Sequence, residues 1–321
     1  MALNFVEALL TDNLAAIKAI PKTDLHCHAF FGTRLENVER WLGHPLAKPP
    51  PKMNGLEGML AYAGEFLTPH LRCRSGFEFV ATSALHDAIR DGVVIFEMSF
   101  DIRTAEFYPD GLTGLCLFIE NLVDCHRMQI NLRPELGFPR TSADNREHVA
   151  LAHRAIELRT FHSLDLYDDE AACSPEAVKP LYAKARAAGM KLKAHVGEFG
   201  GAEEIRRTVE RLQLDEVQHG ISAAASKEVM RWLAENDIQL NVCPTSNVML
   251  DAVSELAVHP VRVLYDNGVR VSVNTDDLVI FGQSVSDEYR NLYRAGVFSA
   301  QALDAIRRAS LNVSTCYSSG Q

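Results

Sequence analysis

The chain has 321 residues, of which 47% are hydrophobic and 23% charged, a balance typical of globular proteins with a substantial core. Its formal net charge of −10 argues against a nucleic-acid partner, because binding to phosphate backbones depends on clustered lysine and arginine. The sequence has no apolar run long enough to predict a membrane span and no basic, apolar leader that would predict a signal peptide.

Short apolar segments alternate along the chain with longer helix-like segments, after an N-terminal stretch that predicts an amphipathic helix. Strands are predicted at 22–28, 93–100, 130–137, 160–166, 191–195, 216–219, 239–243 and 270–274. Helices are predicted between them at 77–90, 147–157, 175–188, 202–212 and 226–236, several ending in glycine. This alternation favours one α/β domain over residues 1–321, a (β/α)8 barrel of the TIM type. A doubly wound sheet is the alternative, but no Gly-rich phosphate turn follows an early strand.

One segment after the first strand interrupts the alternation. Residues 44–55 read HPLAKPPPKMNG, a proline-rich stretch typical of a semi-rigid loop. In a barrel, a connection at this position overhangs the face that carries catalytic residues. The sequence therefore predicts a lid-like insertion here, although a plain connector accounts for the same pattern.

Histidines and carboxylates cluster where four of the predicted strands end. They are His26 and His28 on the first strand, His195 and Glu198 at the fifth, His219 at the sixth, and Asp276 and Asp277 at the eighth. Any one of them alone is more often a hydrogen-bonded core residue. A barrel gathers these strand ends at one mouth, where burying so many ionisable groups is costly unless they serve a metal or one another. Three imidazoles and one carboxylate suit zinc, which lowers the pKa of a bound water molecule to ~7.

The set and order of these motifs resemble the adenosine/AMP deaminase family over nearly the whole chain. The residues that carry the resemblance are HxH at 26–28, HxGE at 195–198, HG at 219–220, CPTSN at 243–247 and NTDD at 274–277. The HxE and PCxxC pattern of the unrelated cytidine deaminases is absent.

The resemblance implies a zinc-dependent hydrolase that removes the 6-amino group of a purine. One Zn2+ would be held by His26, His28, His195 and Asp276. Glu198 would protonate purine N1, His219 would orient the attacking water and help take its proton, and Asp277 would hydrogen-bond N7. For Asp277, a supporting role beside Asp276 or a ligand histidine is the alternative.

Two departures from the nucleoside-deaminase pattern bear on the substrate. Ala29, Phe30 and Phe31 follow the HxH motif, where nucleoside deaminases carry an aspartate for the ribose 5′-hydroxyl, and residues 165–170 end in Asp-Asp-Glu. Both features resemble AMP deaminases, and the missing carboxylate removes repulsion against a 5′-phosphate. We therefore predict AMP or dAMP as the substrate, with IMP or dIMP and ammonia as products. The alternatives are adenosine, deoxyadenosine, adenine or a modified aminopurine.

Five residues are predicted to contact this substrate. Phe30 and Phe31 would form an apolar wall against the sugar, and the resemblance implies that the main chain at Asp168 reaches purine N3. Arg34 and Arg40 follow the first motif and are candidate phosphate donors, because a guanidinium binds phosphate through two donors. Further basic candidates are His70, Arg72, Arg74 and Arg140.

Two other classes of function fit parts of the pattern: a catalytically silent barrel that binds a purine nucleotide, and a zinc amidohydrolase for a non-purine ring. The presence of every expected ligand and proton-transfer residue argues against the silent barrel. The seven cysteines form no CxxC pair, which predicts buried, reduced thiols and a cytoplasmic protein. A homo-oligomer is compatible with the sequence, which leaves the oligomeric state open.

Overall fold

The computed structural model describes residues 3–316, and within them eight parallel strands form one sheet in sequence order. The strands are β1 (Lys22–His28), β2 (Val93–Asp101), β3 (Asn131–Pro139), β4 (Ser163–Tyr167), β5 (Lys191–Val196), β6 (Glu216–His219), β7 (Gln239–Val242) and β8 (Arg270–Val273). The sheet curls until its first and last strands meet, so the prediction of a (β/α)8 barrel is confirmed.

Helices connect successive strands on the outside of the sheet. The α-helices in the described residues are α1 (Phe5–Leu10), α2 (Leu14–Lys18), α3 (Leu35–Leu42), α4 (Gly55–Phe66), α5 (Thr68–Leu71), α6 (Arg74–Arg90), α7 (Leu112–His126), α8 (Arg146–Leu158), α9 (Pro175–Ala187), α10 (Ala202–Leu212), α11 (Lys227–Glu235), α12 (Pro244–Met249), α13 (Val261–Asp266), α14 (Leu278–Phe281), α15 (Val285–Arg294) and α16 (Ala300–Cys316). Short 3₁₀ turns lie at Ile102–Phe107, Arg140–Ser142, Ile221–Ala225 and Leu256–Val258.

The seam between β8 and β1 is narrow. The N–H of Asp276 donates to the carbonyl of His26 at 2.9 Å, and Asp276 pairs with Cys27 in an isolated parallel bridge. Below it, the N–H of Leu25 donates to the side-chain Oδ1 of Asn274 at 2.8 Å. Closure therefore places Asp276 directly beside His26 at the mouth of the barrel.

The predicted strands are all present, and the largest difference in a boundary is at β4. This strand begins at Ser163 rather than at 160, because residues 160–162 form the connection after α8 and only His162 makes main-chain hydrogen bonds to the neighbouring strands, with Pro134 and Lys191. Within that turn the hydroxyl of Thr160 donates to Glu120 at 2.8 Å. The predicted N-terminal helix is present as two short helices, since Asp12 has a left-handed φ of 52° and Asn13 caps a second helix.

The lid-like insertion after β1 is longer than residues 44–55. Residues 44–54 contain no helix or strand, and the part that covers the barrel mouth is the next element, α4. Met59 and Ala63 of α4 are buried in a second hydrophobic cluster with Leu67, Leu250 and Phe281. The insertion is thus anchored by its own small core beside the main one.

Six cysteines are described, and all six are free. The prediction of buried thiols is wrong for Cys73 and Cys125, which are exposed at the start of α6 and near the end of α7; the side chain of Cys316 lies outside the described residues. Among the helices of the described chain, none has the length and apolar character to cross a membrane.

Charged side chains fill the middle of the barrel interior. Lys193 is fully buried on β5, and its ammonium group contacts Glu97 of β2, Glu135 of β3 at 2.6 Å and Glu216 of β6 at 3.5 Å. It also donates to the carbonyl of Leu25 at 3.1 Å. Burial opposes the charge on Lys193, but the surrounding carboxylates outweigh burial and raise its pKa. One cation therefore joins β5 to four other strands through the barrel centre.

We expect Lys193→Met to lower the free energy of unfolding by about 3–5 kcal/mol, because removing one partner leaves buried carboxylates without their counter-charge. The control is Lys184→Met, which removes a surface ion pair with Glu157 at 2.6 Å and should cost under about 1 kcal/mol. Urea unfolding followed by circular dichroism measures both. Equal losses in the two variants would contradict a structural role for the buried cation.

Candidate active site

A cavity of about 370 Å³ opens at the carboxyl ends of the strands. This volume lies within the range of small-molecule sites, about 300–1,000 Å³. The cavity's floor contains the predicted catalytic groups and its upper wall comes from the insertion. Lining residues from these two sources are His28, His195, Glu198, His219, Asp276 and Asp277 below, and Leu56, Met59, Leu60 and Ala63 of α4 above.

The four predicted metal ligands are brought together at the cavity floor. Nε2 of His26 lies 3.6 Å from Oδ1 of Asp276, and Nε2 of His28 lies 3.5 Å from the same oxygen. The ring of His195 is centred 4.7 Å from that of His26 and 5.3 Å from that of His28. Three histidines from two strands thus surround one carboxylate from the seam.

The donor atoms of this cluster fit a metal ion. Nε2 of His26 is buried and has no hydrogen-bond partner among the described residues. The other ring nitrogen, Nδ1, lies 3.4 Å from the carbonyl of Asn241, which accepts its hydrogen and leaves the lone pair on Nε2. Burial and the neighbouring histidines lower the pKa of His26 well below its usual range, so the ring is neutral, the form that ligates metals.

Two further residues hold the cluster in place. Asp165 of β4 is buried, and its Oδ1 lies 3.2 Å from Nδ1 of His195. Ser246 of α12 donates to Oδ2 of Asp276 at 2.7 Å. Such partners fix the orientation of a metal ligand and increase its basicity. Sequence reasoning missed Asp165, although a carboxylate inside the otherwise apolar strand SLDLY was a usable signal.

Glu198 and His219 are neighbours, and the side-chain amide of Asn247 contacts both of them. Asn247 Nδ2 donates to Glu198 Oε1 at 2.6 Å and lies 3.1 Å from Nδ1 of His219. Burial, reinforced by the charge of Asp276, raises the pKa of Glu198 to about 8, so the carboxyl group holds a proton at neutral pH. A dication bound at the ligand cluster would lower that pKa. Glu198 is therefore suited to give and regain a proton.

Asp277 also lies in the cavity wall as a buried carboxyl group. Burial, followed by the charges of Asp276 and Glu198, raises the pKa of Asp277 well above its usual range. Its Oδ1 has no hydrogen-bond partner among the described residues. Since an unpaired buried carboxyl oxygen is costly, this atom is available for a ligand in the cavity.

The predicted substrate contacts divide into two groups. Phe30 and Phe31 line the cavity with their rings 5.0 Å apart, and Asp168 lines it from the loop after β4, with a left-handed φ of 84°. Arg34 and Arg40 are not among the lining residues. Arg34 approaches Asp287 at 3.6 Å, and Arg40 is exposed on α3 and bonded to Asn37.

Arg72 and Arg103 line the cavity instead, and each is paired with a carboxylate that lines it too. Nη2 of Arg103 donates to Oδ2 of Asp101 at 2.6 Å, and Nη2 of Arg72 donates to Oε1 of Glu106 at 3.0 Å. Both guanidinium groups are therefore engaged by carboxylates, although the pair of Arg72 with Glu106 is largely exposed. Arg140, another early candidate, is buried and donates to the carbonyl of His195 at 2.7 Å.

The comparison with known proteins agrees with this geometry. The profile of the family described as adenosine deaminase matches residues 56–321. A Treponema pallidum protein, provisionally named an adenosine/adenine deaminase, is 36% identical over 299 residues, covering 92% of this chain and 99% of its own length.

Two solved structures share the fold at low sequence identity. An amidohydrolase from Burkholderia ambifaria with bound zinc has a TM-score of 0.71 and 21% identity, covering 92% of this chain and 91% of its own. A complex of the protein ADAL with IMP has a TM-score of 0.76 and 20% identity, covering 94% and 93%. Because the profile spans most of the sequence and the Treponema relative matches nearly its full length, this chain belongs to the adenosine deaminase family.

Proposed function

We propose that the protein hydrolyses the 6-amino group of an aminopurine, using one Zn2+ held by His26, His28, His195 and Asp276. The observation that carries this proposal is the buried Glu198, held by Asn247 next to His219 and lining the same small-molecule-sized cavity as His28, His195 and Asp276. The zinc of the Burkholderia neighbour supports the choice of metal.

Zinc bound at these residues would supply an activated water molecule at neutral pH. Glu198 gives its proton to ring nitrogen N1, which withdraws electrons from C6 and prepares that carbon for attack. His219 is neutral, because burial and the neighbouring histidines lower its pKa, and it holds the attacking water and relays a proton. Asp277, protonated because its pKa is raised, donates to N7.

The protons given up and taken up during the reaction balance among these same residues. After water adds to C6, one of its protons goes to the departing amino group, which leaves as ammonia. The other returns to Glu198, while N1 keeps the hydrogen it received. The product is a 6-oxopurine, and the side chains end in their starting protonation states.

The cavity walls around the far end of the purine favour an uncharged substrate. With C6 at the ligand cluster, N9 and its substituent point away from it, towards walls that include Phe31 and Met59. A 5′-phosphate there would also approach the carboxylates of Asp101 and Glu106, which repel it. The positive charges of Arg103 and Arg72 are already balanced by these two carboxylates. We therefore place adenine or an adenine nucleoside ahead of AMP or dAMP, and the name of the Treponema relative supports that order.

A nucleoside 5′-monophosphate is the second candidate. The chain has Ala29 and Phe30 directly after its HxH motif instead of a carboxylate, and two arginines do stand at the cavity wall. The ADAL complex with IMP is consistent with this reading. Binding would require Arg103 to exchange the carboxylate of Asp101 for the phosphate.

A substrate panel separates the two candidates. We expect kcat/KM for adenine or adenosine to exceed that for AMP and dAMP by at least about tenfold, a difference of roughly 1.4 kcal/mol, as measured by purine absorbance and ammonia release. Asp101→Asn should narrow the gap, because it removes one repelling charge and frees Arg103. Faster turnover of AMP than of adenosine by the wild-type enzyme would establish the nucleotide reading instead.

Replacing the proton donor gives the second test. Glu198→Gln should lower kcat by about 10²–10⁴-fold, the usual contribution of a positioned general acid, while zinc content stays at one per chain. Glu203→Gln, on the exposed face of α10, is the matched control and should retain full activity. Near-normal turnover in Glu198→Gln would remove this residue from its assigned role.

The third test addresses the metal through Asp165. Asp165→Asn should weaken zinc affinity about 10–100-fold, because His195 loses the carboxylate that orients its ring. Competition with a chromophoric chelator measures the affinity, and Asp124→Asn, an exposed carboxylate on α7, serves as control. An unchanged affinity in Asp165→Asn would argue against His195 as a ligand.

A further inference from the structure

Glu170, in the loop after β4, contacts the turn that carries Glu198 at three consecutive amides. Its carboxylate accepts hydrogen bonds from the N–H groups of Gly197 at 2.6 Å, Glu198 at 2.9 Å and Phe199 at 3.0 Å. One side chain thus satisfies the main chain of the residue before the proton donor, of the donor itself and of the residue after it.

These amides lie outside regular structure. The turn runs from the end of β5 at Val196 to the start of α10 at Ala202, so neither the sheet nor the helix provides partners for its N–H groups. Hydrogen bonds to a carboxylate are roughly twice as strong as those between neutral groups. Glu170 therefore fixes the backbone of Glu198, while Asn247 holds its carboxyl group at the other end.

Gly200 leaves room for Glu170 to approach the turn, and Gly197 permits the backbone conformation of the turn. A Cβ atom on Gly200 would lie 2.7 Å from Oε2 of Glu170. Gly197 has a left-handed φ of 78°, and a Cβ there would collide with Ile205 and Ser222. The sequence HVGEFGG therefore provides a turn that can close around a carboxylate.

The same turn also borders the cavity. Phe199 lines it, as do Leu56 and Leu60 of α4. Movement of the turn would therefore displace the proton donor and part of the cavity wall together.

We propose that Glu170 is a positioning residue for the deamination: it holds the 197–199 turn so that Glu198 meets the purine ring in the correct orientation. This inference rests on the proposed function for its kinetic consequence, but its structural content does not. The variant Glu170→Gln keeps the shape of the side chain and replaces one acceptor oxygen with an amide donor, which faces the N–H groups of the turn.

Amide hydrogen exchange tests the contact without any substrate. In the zinc-loaded protein, peptides covering 196–201 should exchange at least about tenfold faster in Glu170→Gln than in the wild type. Asp169→Asn is the matched control, because Asp169 is the neighbouring carboxylate and its side chain accepts from Ala171 within its own loop. Unchanged protection in Glu170→Gln, or an equal change in Asp169→Asn, would overturn the proposal.

Kinetics on the best substrate of the panel test the role. We expect Glu170→Gln to lower kcat by about 10–100-fold, the effect of misplacing a catalytic group by about 1 Å, with KM changed less than about threefold and zinc content unchanged. Glu170→Asp, which restores the charge on a shorter stem, should recover part of the loss. In the Glu198→Gln background, Glu170→Gln should cause no further loss, because both changes act on the same proton transfer.

The outcomes separate this inference from the proposed function. If the wild type deaminates none of the aminopurines, the proposed function fails, whatever the exchange data show. If the wild type is active and Glu170→Gln matches it in kcat, the positioning role alone is wrong. A loss in Glu170→Gln that adds fully to that of Glu198→Gln would show that Glu170 acts on the fold in general rather than through the proton donor.

Discussion

A closed parallel barrel imposes one constraint on everything inside it: a charged group there has no access to bulk water and must find its partners among the strands. In this protein the interior is polar through much of its depth. Lys193 and its carboxylates occupy the middle, and the histidine and aspartate cluster lies above them at the mouth. At the mouth, the buried Nε2 of His26 and Oδ1 of Asp277 lack partners among the described residues. The proposed metal ion would provide a partner for His26, and a ligand in the cavity would provide one for Asp277.

Much of this arrangement could be predicted from the sequence, because the signals are local. Alternating apolar segments located all eight strands, and the barrel topology then placed residues far apart in the chain, such as His26 and Asp276, at one mouth. The features that escaped prediction depend on partners chosen in three dimensions. Asp165 supports His195, and Glu170 binds the 197–199 turn. The sequence could mark Asp165 as an unusual carboxylate within a strand, but it could not identify the partner of either residue.

The substrate end of the cavity could likewise be predicted only in part from the sequence. Arginines could be counted in the sequence, but whether a guanidinium is free for a phosphate depends on its neighbours. Arg34 and Arg40 are directed elsewhere, and Arg103 is held by a carboxylate two residues away. Helix α4, which covers the cavity, was not predicted either, because the proline-rich segment before it indicates a loop. Substrate selection thus depends on pairings among wall residues, whereas the reaction type depends on residues fixed by strand ends.

The seam between β1 and β8 gives the proposed metal ligands a second, structural role. β1 ends at His28 and β8 begins at Arg270, so the seam joins segments that are far apart in the sequence, and one of its hydrogen bonds runs from Asp276 to His26. In the proposed metal site, a cation held by His26 and His28 on one side and Asp276 on the other would add a further link across this seam. Because a ligand stabilises by mass action the state that binds it, metal loading would then stabilise the closed barrel as well as complete the catalytic centre.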